Sequence, residues 1–232
     1  MVIILENIDI IDSNLPGVKK FKEYFENFSE QYVLIGGAAC HLILENEGLE
    51  MRVTKDFDII LSVNALTKKF VNRFYEFIID GGYNEKERSF EQGNLYRFTN
   101  PENLEFPYQI EILTKEPNYI ESEFSPGEIT YIKAEEEYVS LSAILMNEDY
   151  CDFVIKNKIS LNGLSVANPI GLILLKMKAW LNLNEEKENG NHVNSRDIKK
   201  HRTDVYRVSQ LLRVDDKNEI PKLISEDVNK FC

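Results

Sequence analysis

The sequence predicts an α+β fold, with a mixed sheet and helices over residues 1–166 and a helical region over 167–232. Three observations carry this. Short apolar runs and period-two alternation, the marks of strands, fall before residue 167. Helix-spaced apolar residues with polar back faces are interleaved with them from the start. Beyond Pro169 only helical spacing remains, and strands followed by a run of helices is the α+β order.

Leu15–Ser29 has Val18, Phe21, Tyr24, Phe25 and Phe28 on one helical face. Tyr32–Ile35 is a short apolar run stopped by Gly36 and Gly37, a buried strand ending in a tight turn. AACHLILENEG reads as a helix ending near Gly48. In KDFDIILSV, Phe57, Ile59 and Leu61 alternate with Asp56, Asp58 and Ile60, a strand whose early positions expose carboxylates. LTKKFVNRFYEFIIDGG is a strongly amphipathic helix. LYRFTNP and FPYQIEILT alternate across a polar turn and read as a hairpin. Lys115–Glu137 is acidic and irregular, a solvated loop or connecting strand. DFVIKNKISLNGLSVANP reads as alternating strands broken by the hairpin signal Asn162-Gly163. Pro169 suits the first turn of a helix, NEEKENGNHVN reads as a loop, and Ser195 as the cap of the next helix. The tail has helical spacing at Ile220, Leu223, Ile224 and Val228.

With 27 Lys/Arg against 39 Asp/Glu the formal net charge is −12, which argues against a protein that coats nucleic acid nonspecifically. The three cysteines, Cys40, Cys151 and Cys232, form no CxxC pair and suggest neither a disulfide framework nor a zinc site. No run approaches the ~18 apolar residues of a membrane span. The first residues carry acids where a signal peptide carries basic ones, so a cytoplasmic location is expected.

The chemistry concentrates between Val33 and Leu61. Asp56 and Asp58, at i and i+2 on a strand, point the same way and reach one site. Two anions that close repel unless a cation lies between them, and Mg²⁺ or Mn²⁺ suits carboxylate oxygens. Two-metal phosphoryl transfer uses such carboxylates. Gly36 and Gly37 let backbone N–H groups approach a phosphate at the start of the next helix. Glu111, a carboxylate between isoleucines on a later strand, is costly to bury unless paired or metal-bound and is the candidate third ligand.

Gly36-Gly37, then Arg52-x-Thr54-x-Asp56-x-Asp58, then an acidic residue on a later strand resemble the nucleotidyltransferase superfamily of polymerase-β-like fold. NGLSVANPIGLILLKMKAWL followed by SRDIKKHRTDVYRV is similar to its AbiEii branch, found in abortive-infection and toxin–antitoxin systems. The resemblance spans Tyr32 to Val208. It implies a polymerase-β-like core and transfer of NMP from an NTP to a hydroxyl, releasing pyrophosphate. The acceptor would be RNA (a tRNA end by family analogy), a protein side chain or a small molecule, and a cognate antitoxin would be a partner. It implies that Gly36 and Gly37 hold the triphosphate and that Asp56 and Asp58 ligate two Mg²⁺ ions. Glu111 would complete the metal site and help deprotonate the acceptor. Lys176 or Lys178, about 200° apart on a helix, would face the phosphates, with Lys176 favoured by the family pattern and Arg196 and Asp197 nearby. Ala38 departs from the Ser or Thr of many relatives.

Each feature also has a plain reading. The glycines can be a turn, the Asp pair a solvent-facing one, and Lys176 and Lys178 the wet side of a helix. Arg52 and Thr54 can simply order their loop. His41 reads as packed or on the surface, and His192 and His201 have no metal-ligand spacing. Arg196–Arg213 carries six Lys/Arg against two Asp, a solvated face or a patch for triphosphate or RNA. The alternatives to an enzyme are a regulatory module of the same fold acting through a protein partner, and a phosphate-binding domain that uses only the two glycines.

Overall fold

The alternation in Asp56–Leu61 becomes a strand near the middle of one sheet. The computed structural model describes residues 13–62, 65–89, 95–113, 130–132, 147–213 and 218–232. The order begins with α1 (Val18–Phe25), a 3-10 turn (Glu26–Phe28), β1 (Tyr32–Ile35), α2 (Gly36–Asn46), β2 (Asp56–Leu61) and α3 (Lys68–Gly81). Next come β3 (Tyr83–Ser89), β4 (Leu95–Pro101), β5 (Gln109–Leu113) and β6 (Thr130–Ile132). Then follow α4 (Glu148–Lys156), β7 (Ile159–Leu161), β8 (Leu164–Val166), α5 (Pro169–Glu188), α6 (Ser195–Ser209) and α7 (Lys222–Phe231). Eight strands form one mixed sheet in the order β6-β3-β4-β5-β2-β1-β8-β7. β2 runs parallel to β5 and antiparallel to β1. The protein is therefore mixed α and β, and the described elements after Val166 are helices.

The two faces of the sheet differ. On one, α1 and α3 pack together and interlock rings with the strands. Phe21 meets Phe57 of β2 at 5.4 Å and Tyr32 of β1 edge-on at 5.4 Å, and Phe77 meets Phe25 at 5.1 Å. Phe21, Phe25, Phe57 and Phe77 are almost fully buried. Each ring pair adds ~0.5–1.5 kcal/mol to the burial itself. On the other face, where period-two alternation turns Asp56 and Asp58, α2 covers β1 and β2, and α5 packs on α2, α6 and α7.

Several local expectations need correction. DFVIK is not a strand. It lies in α4, whose start is capped by the Asn147 side chain accepting from the Asp149 N–H. The glycine pair is not a turn before the helix but its first two residues. Asn184–Glu188 is not loop but the last turns of α5. Asn194, not Ser195, caps α6, accepting from the Arg196 N–H. β3 has no counterpart among the expected elements. Trp180 is half-buried rather than core and stacks edge-on against Phe231 at 5.1 Å. The β4–β5 hairpin and the Asn162-Gly163 turn form as expected, with φ of 50° and 83° at the turn residues suiting a two-residue hairpin loop. Of Lys115–Glu137, only β6 lies among the described residues. No described helix is long and apolar enough to cross a membrane.

α7 is held by a buried ionic knot. Asp227 accepts from Tyr150 Oη at 2.9 Å and pairs with Lys178 at 2.9 Å and Lys230 at 3.5 Å. Burial pushes the Asp227 carboxyl up, but the bonds from Lys178 and Tyr150 together hold it below its ordinary value. A carboxyl lowered on folding adds stability above its unfolded pKa of ~3.9 and loses it as pH falls through the folded value. The gap in urea midpoint between wild type and Asp227→Asn should therefore be widest near neutral pH and narrow below about pH 4. A gap that did not change with pH would remove the knot from the account.

Candidate functional site

One pocket collects most of the residues singled out in the sequence. Gly36, Gly37, Arg52, Thr54, Asp56 and Asp58 line one side, and Leu172, Leu175, Lys176, Ala179, Lys200 and His201 the other. Its cavity volume is about 60 Å³, well below the roughly 300–1,000 Å³ of small-molecule sites, so it is a narrow cleft.

β1, α2 and β2 build the first side. Ile35 pairs with Asp58, which brings the Asp58 carboxylate against the first residue of α2. Gly36 has a φ of +66°, and a Cβ there would stand 1.7 Å from Asp58 Oδ2. Only glycine fits both conditions. The N-cap residue of α2, Ile35, offers its first N–H groups no side-chain acceptor. Thr54 Oγ1 accepts from the Asp56 N–H at 3.3 Å, which orders the entry into β2. Ala38 is fully buried, so no hydroxyl could act from that position.

α5 and α6 build the second side. Lys176 is 7 % exposed and lines the pocket, whereas Lys178 turns to Asp227. Lys176 Nζ stands 3.3 Å from Asp204 Oδ2 on α6, and Arg52 Nη2 reaches the same oxygen at 3.9 Å. Asp204 is 1 % exposed. It thus holds two cations that line the pocket, although the sequence reading did not select it. Arg196 and Asp197 are not on the pocket wall; Arg196 is exposed at the first turn of α6. One turn on, Lys200 and His201 take that place, and Asp204 follows at i+3 from His201. The i, i+3/i+4 recurrence was the available signal. Burial raises the Cys40 thiol behind this wall to about 11, so it stays protonated at neutral pH. His41 is buried beside Glu45, and His192 is exposed.

Glu111 pairs with Asp58 in the parallel β2–β5 register but is fully buried and off the pocket wall. Burial and then the Asp58 charge push its carboxyl well up, against the pull of Arg97. Among the described residues no three His, Cys, Asp or Glu side chains stand in a metal-holding group. Glu111 is drawn toward Arg97 on β4, and the expected three-carboxylate set is not gathered. The donors still fit a hard divalent cation. Asp56 and Asp58 open into the pocket, and the buried Glu111 carboxyl is in hydrogen-bonding contact with Asp58 behind them.

No protein-family model matches the chain, and no curated protein matches it significantly.

Proposed function

We propose that this protein is a metal-dependent nucleotidyltransferase of polymerase-β-like fold. The observation that carries the reading is the single pocket where Gly36, Gly37, Asp56 and Asp58 face Lys176. The N–H groups at the start of α2 donate to triphosphate oxygens. Lys176 balances the phosphate charge from the opposite side and Arg52 from the glycine side. Asp56, Asp58 and Glu111 hold Mg²⁺ or Mn²⁺, two ions in the fully assembled site. When bound, the cations stabilise charge on the attacking and leaving oxygens. The acceptor hydroxyl oxygen bonds to the α-phosphorus, the bond from that phosphorus to the bridging oxygen breaks, and pyrophosphate leaves. The hydroxyl proton passes to a carboxylate of the site. The acceptor class covers RNA, a tRNA end included, a protein hydroxyl and a small molecule. A role as the toxin of a toxin–antitoxin or abortive-infection system, with an antitoxin partner and a cytoplasmic location, belongs to the same proposal.

Calorimetric titration with each NTP, with and without Mg²⁺, tests this reading. Metal-dependent binding of at least one NTP is expected, and it should be lost in Asp56→Asn and Asp58→Asn. Labelled NTP incubated with cell lysate should mark the acceptor in the wild type only. Binding that EDTA does not affect would instead favour a phosphate-binding domain using the two glycines. Metal-dependent binding without transfer would favour the regulatory module.

A further inference from the structure

Glu111 is fully buried, and its two oxygens have different surroundings. Oε1 accepts from Arg97 Nε at 2.7 Å and from Gln109 Nε2 at 3.1 Å. Oε2 is buried with no N–H or hydroxyl donor, and the Glu111 carboxyl is in hydrogen-bonding contact with Asp58, so without a cation the two share a proton. Arg97 lies directly across from Glu111 in the β4–β5 register and is 9 % exposed. An Arg–carboxylate pair that served only the fold would gain most by engaging both oxygens with the guanidinium fork. Here the fork is offset to one oxygen and Gln109 doubles on that same oxygen. A bare carboxylate oxygen in a dry site is costly. In the cation-free site a proton shared with Asp58 meets that cost, and a divalent cation between the two carboxylates can take the proton's place.

We propose that Arg97, assisted by Gln109, is a positioning residue that holds Glu111 by Oε1 and so presents Oε2 to a divalent cation shared with Asp58. The inference rests on the metal reading above. It explains why a cation is placed behind an acidic site that must itself attract cations. Arg97 takes up one half of Glu111 and leaves the other half facing Asp58.

The test uses Mn²⁺ alone, with free Mn²⁺ read by its EPR signal and folding read by circular dichroism. Arg97→Met should weaken Mn²⁺ binding by about 10–100-fold, the usual effect of removing a residue that orients a metal ligand. In the Glu111→Gln background the same change should have no further effect, because Arg97 acts through Glu111. Arg97→Lys should recover part of the loss. Wild-type affinity in Arg97→Met, or an equal loss in both backgrounds, would overturn the inference. If Arg97→Met does not fold, Gln109→Leu takes its place. It should weaken binding by a smaller factor that again vanishes in Glu111→Gln, and unchanged affinity would overturn the inference. A wild type that binds no Mn²⁺ brings down the metal reading and this inference with it. Wild-type binding that Arg97→Met leaves unchanged brings down this inference alone.

Discussion

Asp204→Ala is expected to cost about 3–5 kcal/mol of stability, the range for breaking a buried ion pair by deleting one partner. The reason lies in what remains. Lys176 is 7 % exposed and loses the carboxylate 3.3 Å from its ammonium, while Arg52 still approaches the same space. A buried ammonium then loses its contact with Asp204 while a second cation stays close by. Urea denaturation should show a lower midpoint with an unchanged slope, and the melting temperature should fall by roughly 6–20 °C. A loss below about 1 kcal/mol would mean that solvent reaches the pair and that it is worth no more than a surface salt bridge. The double variant Asp204→Leu, Lys176→Met separates stability from function. Replacing both partners with apolar side chains is often neutral or better for the fold, so stability should return. Nucleotide binding should not, because the cation proposed to face the triphosphate is gone.

Period and chain order exposed part of this site in the sequence. Asp56 and Asp58 were recognisable because a strand repeats every two residues, and Gly36-Gly37 because a pair of glycines ends an apolar run. The α5–α6 side was harder. A sequence shows that α6 is amphipathic, but its rotation is set by packing against α5. The family resemblance pointed to Arg196 and Asp197, while Lys200, His201 and Asp204 occupy the inner positions. Arg97 was hidden for a related reason. Its strand was expected, but its position across from Glu111 depends on register, which tertiary contacts determine. β3 was missed because YNEKERS lacks apolar alternation; it is held as a strand by pairing with β4 and β6. In α4, DFVIK can read as either period within so short a window, and the deciding cap at Asn147 lies six residues upstream of Phe153.

Two adjacent glycines should give opposite results when each is changed to alanine. At Gly36 a methyl group would stand 1.7 Å from Asp58 Oδ2 and 2.8 Å from its Cγ, on a backbone with φ of +66°. The left-handed conformation alone costs a non-glycine residue about 1–2 kcal/mol, which most folds survive. The collision is the larger effect, because the atom that must give way is a proposed metal ligand. Gly36→Ala should therefore fold with a modest loss of stability and still lose Mn²⁺ and NTP binding by about 100-fold or more, several kcal/mol of site free energy. At Gly37 the nearest atoms to an added Cβ belong to Thr54 at 3.4 Å, and no positive φ is required. The N–H that would meet a phosphate is kept in alanine. Gly37→Ala should thus bind both ligands within about threefold of wild type, a difference below 1 kcal/mol. Equal losses at the two positions would mean that the glycines serve the turn in general. The contrast between them ties the loss to the contact between Gly36 and Asp58, and it can be measured without knowing the acceptor.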